Sequence, residues 1–439
     1  MKVIHVLNQF LPNQIAGTEM YVYNLIRQLK TKGVNGIVVI PNYGKYVTEE
    51  YFIEGIRVVQ FAEPSIVDRA LIMGKKESKG LFFFGEVLRM ELPAIVHFHE
   101  LAGSNGISYK HVALSKKMGF KNVITFHLSG YSCKTGNLMY KDEKLCDGKI
   151  NILRCSRCLY KVKKDSLINS IITYPLSIGL YTLGIDTTKW NNNIGTGLGF
   201  PYIIKDLKEN LFALAKNCDA MIVLTEWYKN ILETNRLPKE KIHYISQGLT
   251  FQTETVKDDF GSQNKKALKI IFIGRISAFK GLHLLLEAMK NINHEMLLLD
   301  IYGQDPEDEY SNGLKRKKAQ LTNVQWKGKI LPGKVVSCVS NYDILCLPST
   351  FSEMSPLVIQ EAFAANVPVL ASNVYGNAEQ ITHNINGWLF QFKDSNDLHK
   401  QLQYLIDNPL VVQNAKYNIK PVKDFEMVAS EQLDIYNKL

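Results

Sequence analysis

Short apolar runs recur along this chain, and nearly every one is followed by a stretch with helical periodicity. KVIHVLN, GIVVIPN, GIRVVQF, AIVHFHE and NVITFH fill the first part. ALKIIFIG, MLLLDIYGQ, VQWKGKI, DILCLPS and VPVLAS fill the last. Runs that are apolar on both sides of the strand, separated by amphipathic segments such as TEMYVYNLIRQLKTKG, predict parallel sheets covered by helices on both faces. The fold class is therefore α/β. At 439 residues the chain exceeds one ordinary domain. The polar run TFQTETVKDDFGSQNKKA has the composition of a linker and puts a boundary near residue 250. Residues 1–250 and 251–424 are thus expected as separate domains.

Charge and cysteine usage narrow the function classes. Hydrophobic residues make up 46% of the chain and charged ones 21%, enough for a sizeable core. A formal charge of +10 calls for an anionic partner. No zinc-finger, recognition-helix or RNP-like pattern accompanies it, so nucleic acid is not expected. An anionic membrane surface or a phosphorylated lipid fits the same charge. The start, MKVIHVLNQFLP, is interrupted by His5, Asn8 and Gln9 and reads as a first buried strand, not a leader. A cytoplasmic location follows, with peripheral attachment to the inner face of the membrane.

Residues 131–200 break the strand–helix alternation. Cys133, Cys146, Cys155 and Cys158 fall here, the last two in the knuckle spacing CSRC. Four thiols at such spacing suit a closed, structural zinc site, with reduced free cysteines as the alternative. Lys134–Lys164 holds nine basic residues against three acidic ones, a local excess of six. The uncharged LINSIITYPLSIGLYTLGI follows directly. It is long enough to span a bilayer, but Pro175, Gly179 and Gly184 favour burial in the protein or at an interface. A basic segment beside an apolar one suits docking on an anionic bilayer; a solvated loop on a packed helical pair is the alternative.

The densest chemistry lies in STFSEMSPLVIQEAF. Ser355-Pro356 is a helix-start signal, with serine able to cap and proline suited to the first helical position. Glu353 would precede that helix, and Glu361 would lie roughly 9 Å along from it. The helix start between them, at Ser355 and Leu357, offers free amides to a phosphate. Earlier, strand IIFIG ends at Gly274, Arg275 follows, and Lys280-Gly281 opens another helix. Two cations at the carboxyl end of a strand can neutralise a diphosphate. Near the N-terminus, Gly17 lies in the loop after the first strand, where open sheets accept ligands. No G-x-G-x-x-G is present, which excludes a simple dinucleotide dehydrogenase. No H-E-x-x-H is found, and no D-x-D lies where a metal-dependent transferase carries one, so no catalytic metal is expected.

This order of motifs resembles the retaining glycosyltransferases of family four, glycosyl transferases group 1. The resemblance implies the GT-B arrangement: two Rossmann-like, doubly wound domains facing across a cleft, with a last helix (425–439) crossing back towards the first domain. It implies that Glu353 contacts the donor sugar and Glu361 holds the ribose hydroxyls. Arg275 and Lys280 would stabilise the departing diphosphate beside Gly274. His127, at a strand end in TFHLSG, matches a histidine that touches the donor sugar. His97 and His99 resemble the strand-end HxH, His97 as structural and His99 as an acceptor-side candidate. The family often has two adjacent glycines where this chain has Ala16-Gly17. The implied activity is transfer of a hexose, with retention, from a UDP- or GDP-linked sugar to a hydroxyl of a lipid-linked glycan in polysaccharide synthesis. A nucleotide-sugar epimerase and a non-catalytic binding subunit are the alternatives.

Overall fold

The computed structural model describes the chain except residues 93, 102–105, 164–166, 191, 251–266, 319–320 and 332; for 167–171 only the backbone is described. The expected linker around 251–266 lies outside the described residues. The chain divides into two compact units. One comprises Met1–Ser246 with Phe425–Leu439, the other Gln247–Asp424.

The first unit is built on an eight-stranded sheet. Its strands are β1 (Lys2–Val6), β2 (Asn35–Tyr43), β3 (Glu49–Ile53), β4 (Ile56–Glu63), β5 (Ile95–Phe98), β6 (Lys121–Phe126), β9 (Ala220–Val223) and β10 (Ile242–Tyr244). They run in the order β10-β9-β6-β5-β1-β2-β4-β3, parallel except for the edge strand β3. Side chains alternate between faces with period two, so Val3 and His5 share one face of β1. The helices Gly17–Thr31 and Phe425–Asn437 cover that face with Leu25, Leu29, Val428 and Ala429. The last helix therefore belongs to the first unit's core.

Between β6 and β9 the alternation breaks, as the sequence implies. A two-stranded hairpin, β7 (Met139–Tyr140) and β8 (Lys144–Leu145), leads into the helices Ile152–Val162 and Leu167–Thr182. Pro175 lies inside the second of these. The apolar stretch is partly buried at its described side chains: Tyr174, Ile178, Leu180 and Tyr181 are half-buried and Ser177 is buried. Ile172, Leu176, Leu183 and Ile185 are exposed. Among the described residues no helix is long and apolar enough to cross a membrane.

The second unit has six parallel strands: β11 (Leu268–Ile273), β12 (Leu297–Tyr302), β13 (Val324–Gly328), β14 (Ile344–Leu347), β15 (Val369–Ser372) and β16 (Gly387–Phe390). Their order is β13-β12-β11-β14-β15-β16. From β11 the chain winds outward one way, and from β14 it winds the other, so the topological switch falls between these two strands. Both faces are buried. Ile270 and Phe272 join one core with Leu299, Ile301 and Trp388, while Ile271 joins the other with Leu345, Leu347 and Val369. Each such side chain contributes roughly 1.5–3 kcal/mol of burial. Open sheets of this kind bind ligands outside the carboxyl ends of the strands at the switch.

Candidate active site

At the switch point of the second unit, the loops that follow β11 and β14 are laced together. The Thr350 amide donates to the Phe279 carbonyl at 2.8 Å, and its Oγ1 donates to that of Ala278 at 2.9 Å. Glycines make this closeness possible. Gly281 adopts the left-handed φ of 70°, and a Cβ there would stand 1.7 Å from the Pro348 carbonyl oxygen. A Cβ at Gly376 would stand 2.0 Å from the Glu353 carbonyl oxygen, and one at Gly303 1.9 Å from that of Gly274. No other residue fits these three positions without backbone movement.

The lacing brings Lys280 to Glu353. Lys280 Nζ lies 2.6 Å from Glu353 Oε1, and Ser349 Oγ donates to the same oxygen at 2.7 Å. Glu353 is buried and Lys280 half-buried, so this is a largely desolvated ion pair inside the fold, not a surface contact. Ser349 is held in turn, its carbonyl accepting from Ser372 Oγ at 2.7 Å. Arg275, one residue past Gly274, is exposed and has no ion-pair partner among the described residues. Of the two expected diphosphate cations, then, one is already paired and one is free.

The expected helix start is corrected. The helix runs Leu357–Ala364, and Pro356 is its cap, with ψ at 112° and no side-chain capping bond. Proline restricts the residue before it to extended backbone, and the Gly376 contact holds the Glu353–Met354 segment against the neighbouring turn. Ser355 consequently contributes its carbonyl, which accepts from Gln247 Nε2 at 3.1 Å, and not a cap. The first-turn amide nearest the loop is that of Leu357. Glu361 sits about 6 Å further along the axis. It is half-buried, makes no hydrogen bond among the described residues, and burial pushes its carboxyl up to about 7.

In the first unit His5, His99 and His127 form one hydrogen-bonded chain. His97 and His99 share a face of β5 and its extension, and His5 is the register partner of His97. His5 Nδ1 meets His99 Nε2 at 3.0 Å, and His99 Nδ1 meets His127 Nε2 at 3.3 Å. His97 instead bonds Tyr436 Oη at 2.6 Å and Thr125 Oγ1 at 2.8 Å. His99 is fully buried with both nitrogens occupied, which removes it as an acceptor-side group. Tyr21 lies with its ring centroid 6.1 Å from that of His99 and packs edge-on to Phe425 at 5.2 Å. His5, His97 and His99 also have ligand atoms within 4.8 Å of one another. Hydrogen bonds already occupy both nitrogens of His97 and of His99, so these three rings are a hydrogen-bond network and not an open metal site. His127 is the outer member, edge-on to Tyr21 at 4.8 Å, and burial lowers it to about 3. Gly17 opens the helix Gly17–Thr31, exposed and with open space beside it.

Sequence reasoning missed Ser349, the second donor to Glu353, and the carboxylates Glu19 and Glu100. Both carboxyls are raised by burial, and the Glu100 charge raises Glu19 further. Glu19 accepts from Gln14 Nε2 at 2.7 Å while its Oε2 is buried without a partner. Their only sequence signal was position, two residues after Gly17 and one after His99. The four cysteines of the insertion line one cavity.

Comparison with known proteins bears on the fold. Residues 254–421 match the family model for glycosyl transferases group 1. An uncharacterized 41.2 kDa protein in the cps region of Klebsiella pneumoniae is 25% identical over 218 residues, 48% of this chain and 55% of the relative. The chain spans about half to two thirds of the length of the first curated relatives it matches. Among solved structures, a sucrose-phosphate synthase from Thermosynechococcus elongatus superposes with a TM-score of 0.65 at 15% identity, covering 100% of this chain and 98% of that one. Anabaena HepE in complex with UDP and glucose gives 0.61 at 14% identity, covering 100% of both chains. The fold is thus GT-B, with two Rossmann-like units. The match to the glycosyl transferases group 1 model falls within the second unit.

Proposed function

We propose that this protein is a retaining hexosyltransferase that moves a sugar from a UDP- or GDP-linked donor to a hydroxyl of a lipid-linked glycan in polysaccharide synthesis. The observation that carries this reading is the Lys280–Glu353 pair at the switch point, with Arg275 unpaired beside it. Arg275 meets the diphosphate first, since its charge is not engaged. Lys280 keeps further N–H donors beyond the one aimed at Glu353, and these turn towards the leaving phosphate as negative charge develops. The Leu357 amide and the start of its helix add to that field. Glu353 Oε2, free of both Lys280 and Ser349, takes a hydroxyl of the donor sugar. Glu361 takes the ribose hydroxyls, which give its buried carboxylate the hydrogen bonds it lacks in the free protein. His127 is assigned to the donor sugar by the family resemblance. Catalysis needs no metal in this reading, because the cations are supplied by the chain. The departing phosphate itself accepts the proton of the attacking hydroxyl.

Anabaena HepE, solved in complex with UDP and glucose, supports a nucleotide-sugar donor. The exposed Ile172, Leu176, Leu183 and Ile185, beside the basic Lys134–Lys164 segment, support docking on an anionic membrane where a lipid-linked acceptor resides. Incubation with a panel of nucleotide sugars tests the reading. Slow release of free nucleotide from one donor supports transfer. Interconversion of sugars marks an epimerase, and binding without turnover marks a non-catalytic subunit.

A further inference from the structure

The insertion after β6 has little regular structure and an irregular backbone. Within Cys133–Asn151 the regular structure amounts to two strands of two residues each. Leu138, Lys141 and Asp142 all adopt positive φ, as do Gly136 and Gly148. A buried leucine at φ 51° is a conformation that surrounding structure must impose. Ser129 Oγ donates to the Gly136 carbonyl at 2.6 Å, and Asn235 bonds the Ile150 amide and the Gly148 carbonyl at 2.9 Å, which ties the segment's ends to the unit. A link from the hairpin to the helix Ile152–Val162 would close it.

The cysteines are placed to do so. Cys133 precedes the hairpin and Cys146 follows it. Cys155 and Cys158 stand three apart on the helix Ile152–Val162, which puts them on one face. All four line the same cavity. Backbone amides aim at three of the sulfurs: Lys141 N at 3.0 Å from Cys158 Sγ, Asn151 N at 3.5 Å from Cys155 Sγ, and the Gly148 amide on Cys146. Burial raises these three thiols, and amides so directed offset part of that by favouring a charged sulfur. The rim is cationic as well. Arg154 Nη2 lies 3.6 Å from Cys146 Sγ, and Lys134 and Lys149 line the cavity with it.

We propose that Cys133, Cys146, Cys155 and Cys158 bind one zinc ion, a structural clamp that fixes the hairpin to the helix Ile152–Val162. Binding releases the four thiol protons to solvent and leaves a tetrathiolate site of net charge −2. The local excess of basic residues balances that charge. No three of the four sulfurs stand within 4.8 Å of one another. Ligands on one tetrahedral zinc stand about 3.8 Å apart, so the ion draws them inward. Rotation of a cysteine about χ1 moves its sulfur by about 3 Å, and this is the adjustment the site would use.

Elemental analysis of the full-length protein, purified without added metal, tests this without any donor or acceptor. The transfer reading therefore stands or falls separately. About one zinc per chain is expected. Under half an equivalent overturns the proposal, as does stoichiometric iron or a disulfide among these four cysteines. Cys155→Ser together with Cys158→Ser should lose the zinc. Because that variant can misfold, the metal-stripped wild-type chain is also titrated with cobalt(II). The visible bands of a tetrahedral cobalt tetrathiolate are expected, with protection of Lys141, Lys144 and Lys149 from trypsin on metal addition. A titration without those bands, or trypsin cleavage indifferent to metal, overturns it.

Discussion

Lys280 and Glu353 come from loops that follow different strands of one sheet, and they meet at 2.6 Å with Glu353 almost fully enclosed. A buried ion pair is costly to break from one side, because the remaining charge is left unpaired. Glu353 keeps Ser349 when Lys280 is removed, which softens the loss. Lys280→Ala should therefore cost about 1–3 kcal/mol of stability. It should also lower turnover roughly a hundredfold or more, with a smaller effect on donor affinity. Urea denaturation and steady-state kinetics check the two parts. Equal losses in turnover and affinity would mean that Lys280 only binds the donor.

Glu361 makes stability depend on pH in a defined direction. Its carboxyl is raised from 4.5 to about 7 by burial, so the folded protein holds a proton that the unfolded chain releases. The contribution of this group to stability falls as pH rises from about 4.5 to about 7. Glu361→Gln removes that loss. The melting temperature of the variant should exceed that of the wild type at pH 8 by more than it does at pH 5. Each kcal/mol appears as about 2–4 °C in a unit of this size. The same variant should bind nucleotide more weakly by calorimetry. A melting difference independent of pH would contradict the burial argument.

The histidines of the first unit act in the opposite sense. Burial lowers His5 and His127 to about 3 and places His97 and His99 well below the ordinary range. The unfolded chain then binds more protons than the folded one below about pH 6.5. Stability from these groups is complete above that pH and is lost as pH falls towards 3. His99→Phe leaves His5 and His127 without their shared partner, at about 1–3 kcal/mol for each unsatisfied group. Acid unfolding of the wild type and the variant, followed by tyrosine fluorescence, measures both effects. Acid unfolding that is unchanged in the variant would separate the histidines from stability.

Gly281→Ala should be among the most damaging single changes in the second unit. It adds a Cβ 1.7 Å from a carbonyl oxygen at a position with φ 70°. The backbone conformation alone costs about 1–3 kcal/mol, and the lacing of the two loops must open as well. Loss of soluble protein or of the cooperative melt is expected. A normal melting curve would show that the loop relaxes freely.

The alternation of apolar runs made the α/β class and both parallel sheets legible, because strand burial on two faces leaves an unmistakable pattern. The pairing of Lys280 with Glu353 was not legible. Each residue could be placed beside a strand end, but their meeting depends on glycines that let two loops touch. Ser355 misled for a related reason: a serine before a proline has the composition of a cap, yet proline's backbone preference and the Gly376 contact decide where the helix starts. His99 was overvalued because sequence shows that a histidine ends a strand but not what its nitrogens bond. Glu19 and Glu100 were overlooked since nothing in their neighbours marks a buried carboxylate. In the insertion, the cysteine spacing was visible and the strained hairpin between them was not.

The central claim is that the cations and carboxylates at the switch point of the second unit handle a nucleoside diphosphate sugar. Its most direct test is nucleotide release from UDP- and GDP-linked sugars by the wild-type protein, measured beside Lys280→Ala and Glu353→Gln. The account predicts slow release from one donor by the wild type, and its near-complete loss in both variants with the fold intact. Release that survives both substitutions, or no release from any donor in the panel, would contradict it.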